Sequence, residues 1–123
     1  MGKQVLIVDD SSMTRSIIRT AVEDIDDLET VEVANGFEAL RVLPSTGIDL
    51  IITDINMPDI NGLELINFIK KDPRFNSIPL VIISTETSDE DKQRGLRIGA
   101  DSYLTKPFTA EEVQDTIRAL LVQ

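Results

Sequence analysis

Two adjacent aspartates, Asp9 and Asp10, close the apolar run Val5-Leu6-Ile7-Val8, and Asp54 closes another, Leu50-Ile51-Ile52-Thr53. A further run, Leu80-Val81-Ile82-Ile83, ends in Ser84-Thr85, and a short one ends in Lys106-Pro107. In an open parallel sheet the carboxyl ends of the strands share one edge, and ligands bind there. The spacing therefore predicts that these acids, a hydroxyl and a lysine meet. Like charges ~4 Å apart repel by about 4 kcal/mol at an effective dielectric of about 20, so a site that gathers carboxylates holds a cation or a proton. An open, all-oxygen ligand set suits Mg²⁺, which keeps several waters and favours carboxylates plus a phosphate. Nothing in the chain resembles a calcium loop of the EF-hand type. Lys106 can pair with an acid, or bind a phosphoryl oxygen as a point charge. Ser84 is either a plain strand-end hydroxyl or a donor to such an oxygen. As a set, these groups read as a phosphoryl-transfer site with a metal, a cation and a donor around a carboxylate nucleophile. Asp9 and Asp10, being neighbours, can hold the metal from one side. Asp54 stands alone and is the candidate nucleophile.

The elements that must position these groups alternate between two periods. Gln4–Asp9 reads as a buried strand. Ser11 and Ser12 can cap a helix with apolar positions Met13, Ile17, Ile18, Ala21, Val22 and Ile25. Leu28–Ala34 alternates as a second strand. Phe37, Leu40 and Leu43 mark a short helix that stops before Pro44. Ile48–Thr53 is nearly all apolar and suits a central parallel strand. A helix follows with Leu63, Ile66 and Ile69 inward, ending before Asp72-Pro73. Ile78–Ile83 reads as strand four, Ser88–Ile98 as helix four with Gly99 as its C-terminal cap, and Ser102–Thr105 as strand five. Thr109 and Glu112 form a capping box for Ala110–Leu121, with Val113, Ile117 and Leu120 inward. Such alternation implies an α/β fold: a doubly wound parallel sheet with helices on both faces and right-handed crossovers.

The 123 residues suit one domain, and 22 acids against 12 bases give a net charge of −10. This acidity argues against direct nucleic-acid binding, which needs clustered Lys and Arg. No run reaches the ~20 apolar residues of a membrane span. The first residues lead directly into a strand, so no signal peptide is expected. Cysteine is absent, which excludes disulfides and thiolate metal sites and fits a cytoplasmic protein. Histidine is absent too, excluding a His-based triad or a phosphohistidine in this chain.

Taken together, Asp9-Asp10, the stretch Thr53-Asp54-Ile55-Asn56-Met57-Pro58-Asp59-Ile60-Asn61-Gly62, Ser84 and Lys106-Pro107-Phe108 resemble the receiver domain of two-component response regulators. Ser84 follows Asp54 by 30 positions and Lys106 follows it by 52. The resemblance covers essentially the whole chain. It implies a receiver, or phosphoacceptor, domain over 1–123 with a flavodoxin-like (βα)5 fold and strand order 2-1-3-4-5. Asp54 would take a phosphoryl group from the phosphohistidine of a sensor histidine kinase. Asp10, Asp54 and the Asn56 carbonyl would ligate Mg²⁺, with Asp9 acting mostly through water. Lys106 would contact the phosphoryl group, Ser84 would be the switch hydroxyl, and the rotamer of Tyr103 would report the state. Asn56 and Glu86 would flank the attacking water and tune the acyl-phosphate lifetime. Lys106-Pro107 would be cis.

The protein would then be a signalling switch rather than a conventional enzyme, chemotaxis-regulator-like, and either a monomer or a phosphorylation-dependent dimer. Its output would be altered affinity of the face made by helix four, strand five and helix five for a downstream protein not yet identified. Helix four reads as weakly anchored: Thr87–Arg94 holds no apolar residue, and Gly95 interrupts it at a cost of about 1 kcal/mol. The enteric chemotaxis regulator carries paired lysines and an isoleucine on its motor-binding face where this chain has Ser88, Asp89 and Lys92, so binding to a flagellar switch is not expected. One alternative is the receiver portion of a longer regulator. Another is a Mg²⁺-dependent aspartyl-phosphate phosphatase, disfavoured because such enzymes space their first acids as Asp-x-Asp and here they are adjacent.

Overall fold

The computed structural model describes residues 2–57, 60–85 and 89–121. Strands β1 (Lys3–Val8), β2 (Leu28–Val33), β3 (Leu50–Asp54), β4 (Leu80–Thr85) and β5 (Ser102–Lys106) alternate with helices α1 (Ser12–Glu23), α2 (Gly36–Val42), α3 (Gly62–Lys71), α4 (Asp89–Ile98) and α5 (Ala110–Leu121). The five strands pair in parallel in the order β2-β1-β3-β4-β5, as expected for a flavodoxin-like receiver fold.

Strand alternation splits the core in two. Val5, Ile7, Leu50, Ile52, Val81, Ile83 and Leu104 pack against Ile18, Ala21 and Val22 of α1 and Val113 and Ile117 of α5. Leu6, Val8, Ile51, Leu80 and Ile82 face the other way, against Ala39 of α2 and Leu65, Ile66 and Ile69 of α3, with Leu96 and Ile98 of α4 partly buried beside them. The same alternation aims the acids. Val8 lies opposite Thr53 in the β1–β3 ladder, so Asp9 and Asp54 are each one step further on at neighbouring strand ends. Asp9 continues the series Val5, Ile7, while Asp54 continues Leu50, Ile52, and Lys106 follows Leu104 by two. All three therefore start from the α1–α5 side of the sheet.

The helix caps follow local chemistry. The Ser11 hydroxyl accepts from Thr14 N–H (3.2 Å) and opens α1. Thr109 and Glu112 exchange their bonds at 3.1 and 3.0 Å, as the sequence predicts for α5. A second capping box, between Asn61 and Glu64, opens α3.

Several local readings need correction. Asp9 lies just past β1 rather than within it, and β4 runs on through Ser84 and Thr85. Met13 is 73% exposed and Ile17 47%, so neither belongs to the inward face of α1. At 3.6 residues per turn the stripe centred on Ile18, Ala21, Val22 and Ile25 leaves both of them on its flank. Phe37 is likewise exposed, and Leu65 rather than the half-buried Leu63 fills the core from α3. Gly95 is the one fully buried position of α4, and an added Cβ would run into the Cδ1 of Ile82. It marks a close approach of α4 to β4 rather than a weak point in the helix.

Candidate functional site

The carboxylates of Asp9, Asp10 and Asp54 offer oxygens within 4.8 Å of one another. Asp9 is fully buried, Asp54 is 6% exposed, and Asp10 reaches solvent. The Lys106 ammonium lies 3.6 Å from Asp9 Oδ2 and 3.6 Å from Asp54 Oδ2. It cannot neutralise three carboxylates alone. Asp9 Oδ1 accepts from Ser11 N–H (2.8 Å), and Asp54 Oδ1 accepts from Asn56 N–H (3.1 Å). Burial, then the charges of Asp9 and Asp10, raise the Asp54 carboxyl above the ordinary carboxylate range; the Asn56 N–H and Lys106 pull the other way. The site thus concentrates negative charge that Lys106 leaves unbalanced among the described residues.

Two buried oxygens here, Asp9 Oδ2 and Ser84 Oγ, have no hydrogen-bond partner among the described residues. Asp9 Oδ2 faces the Lys106 ammonium at 3.6 Å, beyond hydrogen-bond reach, and a buried polar atom without a hydrogen bond costs about 1–3 kcal/mol, so such atoms call for a ligand. An all-oxygen cluster with an unsatisfied carboxylate oxygen and one face in solvent fits a hard divalent cation. Ser84 is the last residue but one of β4, one step beyond the Ile83 that faces Asp54 in the ladder, and strand alternation starts its side chain on the side of Leu80 and Ile82, opposite to that of Asp54. Tyr103 is on the outer strand and 43% exposed, with the Lys92 ammonium 4.2 Å above its ring. Glu86 lies outside the described residues. Lys106-Pro107 is cis.

The matching family model is the response regulator receiver domain, over residues 5–118. The chain belongs to the receiver family. This receiver is 34% identical to chemotaxis protein CheY1 of Helicobacter pylori, across 96% of both chains. It is 36% identical to a probable transcriptional regulatory protein of Picosynechococcus sp., and there it spans 49% of the longer protein. Among solved structures, Vibrio cholerae chemotaxis protein CheY4 superposes with a TM-score of 0.90 at 34% identity, covering 98% of this receiver and all of that chain. No helix among the described residues of the receiver is long and apolar enough to cross a membrane.

The sequence reading of this receiver missed two supports of the site. Gly62, opening α3, lies so close to the Asp54 carbonyl and the Ile55 Cα that an added Cβ would strike both. The Asn61-Gly62 pair was legible as a turn signal, but what faces the glycine was not. Arg15 of α1 donates from Nη1 to the Asp9 carbonyl at 2.6 Å. A contact to a main-chain oxygen leaves no signature in the sequence.

Proposed function

We propose that this receiver is a Mg²⁺-dependent phosphoacceptor switch in which Asp54 takes a phosphoryl group from a sensor histidine kinase. The observation that supports it is the buried, charge-crowded Asp54 carboxylate with Lys106 3.6 Å away and the unsatisfied Asp9 oxygen beside it. An Asp54 oxygen would bond to phosphorus as the P–N bond to the donor imidazole breaks, and the imidazole would keep the electron pair. Asp9, Asp10, Asp54 and the Asn56 carbonyl would hold Mg²⁺, whose charge would offset that of the phosphoryl group. Lys106 would turn from its two carboxylates toward a phosphoryl oxygen. The Ser84 hydroxyl, without a hydrogen-bond partner among the described residues and near the end of a neighbouring strand, would donate to another once the end of β4 moves. Asn56 and Glu86 would border the water that ends the signal. Tyr103 would rotate between its exposed position and the space vacated by Ser84, altering the α4–β5–α5 surface presented to a downstream protein. The weak burial of α4 fits an element that moves. On this reading the receiver catalyses its own modification and is not a conventional enzyme. A second reading, service in a longer regulator, is supported by relatives about twice its length.

Incubation with acetyl phosphate and Mg²⁺ is expected to leave a labile, stoichiometric phosphoryl group on the protein, seen by intact mass, and a chelator is expected to prevent it. Continuous hydrolysis without a bound phosphoryl group would favour a phosphatase instead. Mg²⁺ at a hundred times its dissociation constant is expected to stabilise the fold by about 2.7 kcal/mol. An unchanged melting temperature would count against the metal site. Lys106→Ala is expected to keep Mg²⁺ binding while losing the shifts that beryllofluoride, an acyl-phosphate mimic, induces in β5 and α4 amides. Shifts matching the wild type would remove Lys106 from the mechanism.

A further inference from the structure

Arg15 sits behind the acidic cup with its side chain 17% exposed. Its Nη1 donates to the Asp9 carbonyl at 2.6 Å, and its Nε pairs with Glu32 Oε1 of β2 at 3.2 Å. The other Glu32 oxygen is held by Arg19 at 2.6 Å. The guanidinium is thus clamped from α1 and β2 and delivers its bond to one main-chain oxygen. That carbonyl belongs to the peptide joining Asp9 to Asp10. Ser11 N–H already fixes the Asp9 side chain at 2.8 Å. Asp10 differs: it is exposed, and among the described residues no side-chain hydrogen bond or ion pair holds its carboxylate. Its direction is set by the backbone that carries it.

We propose that Arg15, held by Glu32, is a positioning residue that fixes the Asp9–Asp10 peptide and presets the Asp10 carboxylate for a divalent cation. The inference rests on the divalent-ion reading of the cup. Partners that orient metal ligands contribute about 10–100-fold in affinity. A planar, charged donor on a carbonyl makes a strong, directional bond.

The test is Mg²⁺ titration by calorimetry, with the backbone order of Asp10 measured by NMR relaxation in the ion-free protein. Arg15→Met is expected to weaken Mg²⁺ about tenfold and to loosen the Asp10 amide. Arg15→Lys, whose ammonium can still reach the carbonyl, is expected to recover most of both. In an Asp10→Asn background, Arg15→Met is expected to change the affinity little, because the group it orients is already gone. Wild-type affinity and wild-type Asp10 order in a folded Arg15→Met protein would overturn the role of Arg15 alone. If Arg15→Met does not fold, Glu32→Gln carries the decision: weaker Mg²⁺ and a looser Asp10 support the clamp, and no change in either overturns it. Failure of the wild type to bind Mg²⁺ would overturn the cup reading, and the role of Arg15 with it, before any variant is compared.

Discussion

Asp54→Asn is expected to take up no phosphoryl group from acetyl phosphate, and also to melt several degrees above the wild type when no divalent ion is present. Loss of labelling follows from replacing the nucleophilic carboxylate with an amide. The stability gain follows from what that carboxylate costs the fold. Each like-charged pair within 4.8 Å opposes the folded state by about 3 kcal/mol at an effective dielectric of about 20, partly offset by Lys106 at 3.6 Å. Burial and these neighbours raise the Asp54 carboxyl above its ordinary value of 3.8. A carboxyl raised in the folded state is better protonated there than in the unfolded chain. Its contribution is therefore favourable below about 3.8 and is lost as pH rises through the folded value, so the cost is present in full above that value. The advantage of Asp54→Asn is accordingly expected to grow as pH rises from the unfolded carboxyl's range through the folded value and to vanish below that range. Melting curves across pH check this. A variant less stable than the wild type at pH 7 would mean that Lys106 and Asn56 N–H outweigh the crowding.

Gly62→Ala is expected to destabilise the protein by about 3 kcal/mol, the upper end of overpacking costs where the neighbours are backbone and cannot swing aside. For a chain of this size that is a drop of roughly 10 °C. The new methyl would press on the Asp54 carbonyl and the Ile55 Cα. Gly62 N–H also donates to the Ile55 carbonyl at 2.7 Å, closing the loop that leaves β3. Displacing this segment moves Asp54 and the Asn56 N–H together, so Mg²⁺ affinity is expected to fall with stability. Gly47→Ala is the control, since nothing lies within 4 Å of a Cβ there. Chemical denaturation of both variants checks the contrast, and a Gly62→Ala cost below about 0.5 kcal/mol, within the range of ordinary surface substitutions, would contradict it.

The difference between these two glycines shows where the sequence stops speaking. Runs of apolar residues ending in Asp9, Asp54, Ser84 and Lys106 located the strands and the edge where they end, because a fully buried parallel strand has a strong compositional signature. A parallel sheet with helices on both faces then followed, while the strand order came only with the receiver resemblance, and Thr109 with Glu112 announced α5 because a capping box is local. What could not be read depended on partners distant in sequence. Met13 and Ile17 fit a helical repeat, but periodicity does not tell how wide a stripe the sheet covers. Gly95 looked like a helix defect until the Ile82 side chain lay against it. Arg15 drew no reading from the sequence at all, since a bond to a carbonyl has no residue type to match. Ser84 lies at the strand edge the sequence pointed to, yet strand parity starts its side chain on the opposite side of the sheet from Asp54, which only the ladder register reveals.

On the proposed function Asp9, Asp10 and Asp54 form one divalent-ion cup. The most direct test is residue-resolved NMR during titration with Mn²⁺, a paramagnetic substitute for Mg²⁺. With a net charge of −10 the protein offers competing acids, among them Asp24, Asp26 and Asp27 after α1 and Asp89, Glu90 and Asp91 in α4. The first amides to broaden are predicted to be those of Asp9, Asp10, Asp54, Ile55 and Asn56, with Mg²⁺ restoring them. Broadening that begins at either competing cluster and leaves the ends of β1 and β3 sharp would mean that the three aspartates do not hold the ion.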